Sequence, residues 1–136
     1  MNRNVEGEAA AGAAARPRCS QTTLRGTYLF ADHGVDTTGT TFAGAGYEVF
    51  DGNGNIEGVF SANSNGEITR NETLSGTYTV NADCTGTSTY PGDGFEYKYD
   101  LFITPDGSMF TFAQTSPRDM VASGVEQRVT RQRVGD

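Results

Sequence analysis

Turn signals recur along this chain at intervals of about eight to fifteen residues from Leu24 onward, a spacing too short for helices of ordinary length. Asp51-Gly52-Asn53-Gly54, Ser64-Asn65-Gly66 and Pro105-Asp106-Gly107 each place residues tolerant of positive φ between β-rich runs, as tight hairpins require. Between the turns the sequence predicts eight strands, over 24–32, 41–51, 55–62, 67–80, 84–90, 95–103, 108–115 and 119–131. Sequential strands joined by hairpins make a meander, and such a sheet keeps two open edges unless its first and last strands pair. The expected fold is therefore all-β, an eight-stranded antiparallel up-and-down barrel, with a sandwich as the structural alternative. Glycines inside the strands, among them Gly44, Gly46, Gly58 and Gly124, suit the tight coiling of a small barrel.

The chain of 136 residues is long enough for one such domain. Residues 1–18, MNRNVEGEAAAGAAARPR, hold only small apolar residues and are expected to form a flexible arm; 19–131 make the barrel and 132–136 a C-terminal tail. The arm lacks the leucine-rich stretch of a secretory signal, so the expected location is the cytoplasm, or export if the true start lies upstream. No run approaches the roughly 20 apolar residues of a membrane-spanning helix, and no membrane insertion is expected. A formal charge of −7 repels phosphate, and the basic residues form no aromatic-studded patch, which argues against nucleic acid as a partner. Oligomeric state is left open, a dimer included.

Two cysteines, Cys19 and Cys84, are too few and too far apart for a zinc site, so no metal is expected. They could close one disulfide loop of about 65 residues in an oxidising compartment, or remain buried thiols in a reducing one. The Asp51–Glu57 segment places oxygen side chains at alternate positions as a calcium loop does. It has Ile56 where an EF-hand needs glycine and Ala62 where it needs glutamate, and a hairpin turn explains it better.

An eight-stranded barrel is either filled by side chains or holds one small ligand, so the inward residues decide what it can do. Alternation places Leu24, Gly26, Tyr28 and Phe30 on one face of the first strand. Leu74, Gly76, Tyr78 and Val80 share a face of the fourth, and Phe95, Tyr97, Tyr99, Leu101 and Ile103 form a stripe on the sixth. Tyr28, Tyr47, Tyr78, Tyr97 and Tyr99, with Phe30, are the residues suited to line a cavity, each tyrosine pairing apolar area with one hydrogen-bonding tip; the same stripes also suit a packed core. His33, the single histidine, follows Asp32, and a histidine beside a carboxylate suits general-base chemistry, although a strand-end Asp-His-Gly also reads as a turn. Glu48, Glu96 and Lys98 are expected on the solvent face.

The strings LRGTYLF, VFDGNGNIEG, SGTYTVNADCTGT and ASGVEQRV resemble those of a broad set of small bacterial β-proteins with the patterns GTY-x-F, FDGNG and GTYTVN-x-DCTG. The likeness runs from Cys19 to about Thr130 and rests on turn and strand signatures, which speak for fold and not for chemistry. Many proteins of that set are exported. In length, strand count and charge the chain is also similar to calycin- and allene-oxide-cyclase-like barrels, which include cofactor-free cyclases of polyketide pathways and enzymes of [4+2] cycloaddition. That resemblance implies a cofactor-independent cyclase of Diels-Alderase type, acting on a small hydrophobic, polyketide-like molecule. Tyr97, Tyr99, Glu48 and His33 would then be its catalytic candidates, and Tyr28, Tyr47, Tyr78 and Phe30 would line the substrate. Such chemistry works through orientation and one or two hydrogen bonds, and needs no cofactor. The alternatives are a non-catalytic exported binding or envelope module and a lipocalin-like carrier of an apolar ligand.

Overall fold

The computed structural model describes residues 18–133. A short 3-10 turn, Gln21–Thr23, precedes eight strands: β1 (Arg25–Asp36), β2 (Thr41–Asp51), β3 (Asn55–Ser64), β4 (Glu67–Val80), β5 (Thr85–Pro91), β6 (Glu96–Ile103), β7 (Met109–Ser116) and β8 (Met120–Thr130). Every strand pairs antiparallel with its sequence neighbours, and β1 pairs with β8 from Thr27↔Thr130 to Asp36↔Met120. The sheet therefore closes into an up-and-down barrel, and the sandwich alternative falls away. Of the expected arm and tail, residues 1–17 and 134–136 lie outside the described residues. No helix among the described residues is long and apolar enough to cross a membrane.

The strands follow the predicted runs closely except at β1, which continues through Asp32-His33-Gly34 to Asp36 instead of turning there. Gly34 is the reason. A Cβ at this position would lie 2.3 Å from the Val121 carbonyl oxygen, so its absence lets β8 approach and the ladder continue. The turn comes later, where the Asp36 carboxylate accepts hydrogen bonds from the backbone N–H groups of Thr38 and Thr40 and from the Thr38 hydroxyl. At the β2–β3 hairpin Asp51 does the same work: Oδ1 accepts from the N–H groups of Asn53 and Asn55, and Oδ2 from the Asn55 side chain. These bonds hold the segment as a turn.

The barrel is filled at one end only. The hairpins β2–β3, β4–β5 and β6–β7 lie at this end, where Phe50 sits at the centre of an aromatic cluster. Its ring centroid is 5.1 Å from Tyr28, 5.0 Å from Tyr78 and 5.6 Å from Phe110, all in edge-to-face arrangements. Leu24, Ile56, Leu101 and Ile103 complete the packing. The Tyr28 hydroxyl donates to the Gly107 carbonyl and the Tyr78 hydroxyl lies 2.9 Å from the Gln21 and Leu24 carbonyls, so both polar tips are satisfied below the cluster. The β6–β7 hairpin folds across the 3-10 turn so closely that a Cβ at Gly107 would meet the Thr23 carbonyl. The two cysteines form a disulfide, Cys19–Cys84, which ties the segment before the 3-10 turn to the β4–β5 hairpin.

Candidate ligand-binding site

Above the aromatic plug the barrel is hollow. A cavity of about 500 Å³ opens at the end carrying the β1–β2, β3–β4, β5–β6 and β7–β8 hairpins. The period-2 rule sets its lining: Phe30 and Asp32 on β1, Phe42, Gly44 and Glu48 on β2, Phe60 and Ala62 on β3, and Leu74 on β4 face inward. Ser88 and Tyr90 on β5, Tyr97 and Tyr99 on β6, Phe112 and Gln114 on β7, and Met120 and Glu126 on β8 complete the ring. Tyr99 lies edge to face with Tyr90 at 5.7 Å and with Phe112 at 5.6 Å, giving one continuous aromatic wall.

Two carboxyls sit deep in this otherwise apolar volume. Glu48 and Glu126 flank β1 from either side, Glu48 registered with Tyr28 and Glu126 with Phe30. Only 3% of Glu48 and 4% of Glu126 is exposed. The Tyr90 hydroxyl donates to Glu48 Oε2 at 2.6 Å. Among the described residues neither Glu48 Oε1 nor Glu126 Oε1 has a hydrogen-bond partner. Burial pushes both carboxyls above the usual range. Glu126 rises further because the Glu48 charge opposes its ionisation, whereas the hydrogen bond from Tyr90 favours the Glu48 carboxylate. Both carboxyls are thus biased towards the protonated form, Glu126 the more strongly.

The surroundings respond to these carboxyls. Asp32, on the same face of β1, is pushed up to about 6 by burial and then by Glu48. Burial raises the phenols of Tyr90 and Tyr99, and the nearby carboxylates raise them further, so both stay protonated and able to donate. The site can thus present hydroxyl donors, carboxyls biased towards their protonated form and unpartnered carboxyl oxygens to one small molecule. Among the described residues no group of three or more His, Cys, Asp or Glu side chains has the geometry of a metal site.

The structure divides the sequence candidates. Tyr97, Tyr99, Phe30 and Glu48 meet at the cavity, while Tyr28 and Tyr78 are buried in the plug. His33 points out of the barrel from an exposed position, because it has the opposite parity to Phe30 and Asp32, and Tyr47 likewise faces outward beside Glu48. Neither lines the cavity. Glu48 is not on the solvent face as expected: it shares parity with Phe42 and Phe50 and is buried. Glu96 and Lys98 do face solvent, paired at 3.6 Å. Sequence reasoning did not single out Glu126, Tyr90 or the inward role of Asp32. Alternation with Tyr28 and Phe30 marks Asp32, and alternation with Gly124 marks Glu126 once β8 is known to close the barrel.

No family model matches the chain, and no curated protein sequence matches it. Among solved structures it is similar to a de novo designed fluorescence-activating β-barrel, with a TM-score of 0.50 and 18% identity over 78% of this chain and 94% of that one. At that identity the likeness concerns the fold alone, and the fold is a closed eight-stranded antiparallel up-and-down β-barrel.

Proposed function

We propose that this protein binds one small, largely apolar molecule in the open half of its barrel. The observation that carries the reading is the cavity itself, about 500 Å³ with an aromatic wall and a few polar groups converging at its floor, the usual make-up of a small-molecule site. The Cys19–Cys84 disulfide supports an oxidising compartment over the cytoplasm, hence an exported carrier. Cofactor-independent cyclisation of a polyketide-like polyene, [4+2] addition included, is the second reading. It is favoured by the protonated carboxyl and the two phenols beside the apolar volume, which could polarise a carbonyl of a folded substrate.

One variant tests both. Ala62 faces the cavity from β3, and Ala62→Trp would fill much of it. The neutral dye Nile red should bind the unaltered protein at one site per chain with a blue-shifted emission, and Ala62→Trp should abolish that signal. Binding unchanged by the substitution would place the dye elsewhere and remove the reading. Conversion of a polyene panel to isomers of unchanged mass, lost in the same variant, would select the cyclase over the carrier.

A further inference from the structure

The cavity is one-sided in charge. Among the described residues its lining includes three carboxyls, Asp32, Glu48 and Glu126, and no lysine, arginine or histidine. Two of the carboxylate oxygens, Glu48 Oε1 and Glu126 Oε1, are buried without a partner in side chains almost wholly shielded from water. A buried carboxylate is ordinarily matched by a cation or several hydrogen-bond donors. Here Tyr90 supplies one donor, to Glu48 Oε2, and among the described residues none reaches either Oε1.

We infer that the ligand of this cavity carries a protonated amine, whose N–H groups supply the missing donors to the unpartnered oxygens of Glu48 and Glu126. The inference rests on the ligand-binding reading and adds to it the chemical class of the ligand. An anion would meet like charge, and a neutral hydroxyl would offer a single donor and leave the charge unmatched. An ammonium offers several donors and the opposite charge. The aromatic wall of Tyr90, Tyr99 and Phe112 stands beside the carboxyls, and a cation seated against aromatic rings gains further attraction. The remaining volume, bounded by Phe30, Phe60 and Leu74, suits an apolar body.

Binding then exchanges one cation for another. As the ammonium docks, the proton leaves the carboxyl pair for solvent and the pair becomes fully ionised, so amine affinity should rise with pH until the free pair ionises, and fall once the amine itself loses its charge. The ionisable groups facing the pair are Tyr28 and Asp32 from β1, Tyr90 from β5, and Tyr97 and Tyr99 from β6. From β3 and β7 no ionisable side chain lines the cavity, and Tyr78 of β4 is held in the plug.

Calorimetric titration of the full chain with 1-naphthylmethylamine and its neutral counterpart 1-naphthylmethanol tests the inference, run near neutral pH in two buffers of different protonation enthalpy. The amine should bind roughly tenfold or more tightly than the alcohol and release protons, which the alcohol should not. Glu48→Gln and Glu126→Gln should each shrink that preference, with retained alcohol binding showing that the barrel is intact. An alcohol that binds as tightly as the amine, or an amine preference surviving in both variants, overturns the amine and leaves the ligand site standing. If neither naphthyl compound binds while Nile red does, the amine is likewise overturned; if Nile red fails as well, the ligand reading falls with it.

Discussion

The two halves of the barrel are built from the same eight strands and obey opposite rules. In the closed half each inward side chain is matched: Phe50 is ringed by three aromatics, the Tyr28 and Tyr78 hydroxyls reach carbonyls, and a disulfide and a 3-10 turn cover the end. In the open half large side chains line a void and two buried carboxyl oxygens have no partner. The first arrangement is what stability asks of a small domain. The second lowers stability, and unpaired buried polar groups of this kind concentrate where a protein meets a ligand. One half holds the shape and the other is free to carry chemistry.

If that division is real, equal truncations should have unequal effects. Phe50→Ala removes the hub of the plug and should lower unfolding free energy by up to about 5 kcal/mol, whereas Phe60→Ala, on the cavity wall, should lower it by about 1 kcal/mol. Denaturant titrations giving similar losses would mean that both halves bear the fold equally. Reducing Cys19–Cys84 frees a 65-residue loop and should lower stability by about 4 kcal/mol in the same assay, with dye binding in the open half surviving wherever the protein remains folded. Loss of the cavity before global unfolding would show that the two ends are coupled.

The smallest effect is the most diagnostic, because its sign is reversed. Most carboxyls stabilise a fold as pH rises, but the folded state of this protein holds the Glu126 proton more tightly than the unfolded chain does. The contribution of Glu126 to stability should therefore be greatest below the ordinary glutamate value of about 4.5, and fall as pH rises through it until the folded pair ionises. Glu126→Gln cannot lose a proton. It should match the unaltered protein near pH 4 and exceed it by about 1–2 kcal/mol near pH 8. Equal pH profiles for the two proteins would show that Glu126 is as well solvated folded as unfolded, and would erase the contrast between the halves.

The inward parity of the plug tyrosines was legible in the sequence, but not that they fill one end: Tyr28 and Tyr78, expected to line a substrate, pack in the core instead. Gly26-Thr27-Tyr28 and Gly76-Thr77-Tyr78 are near copies, and alternation placed both tyrosines inward, where they now bracket Phe50. Hairpin residues fixed the strand order for the same reason: Asp51 and Asp106 each fold a turn by bonding their own neighbours, and such local chemistry shows in a short string, whereas the turn at Asp36 was placed too early, at Asp32-His33-Gly34. The carboxyl pair is different. Glu48 and Glu126 are 78 positions apart and meet only because β1 lies between β2 and β8, which follows from closure and not from any local pattern. Composition also misleads at Glu48, since a glutamate in a strand is ordinarily a surface residue. His33 drew attention by being the single histidine, yet its parity alone sends it outward.

The pairing of β1 with β8 bears on how the protein is made. Seven of the eight strand pairings join sequence neighbours and can form as soon as the second member leaves the ribosome. The eighth must wait for Met120–Thr130, so throughout synthesis β1 presents a bare row of backbone donors and acceptors to any other strand nearby. Cys84 emerges well before that, and a Cys19–Cys84 bond made early would anchor the waiting strand beside the β4–β5 hairpin, poised for the arrival of its final neighbour.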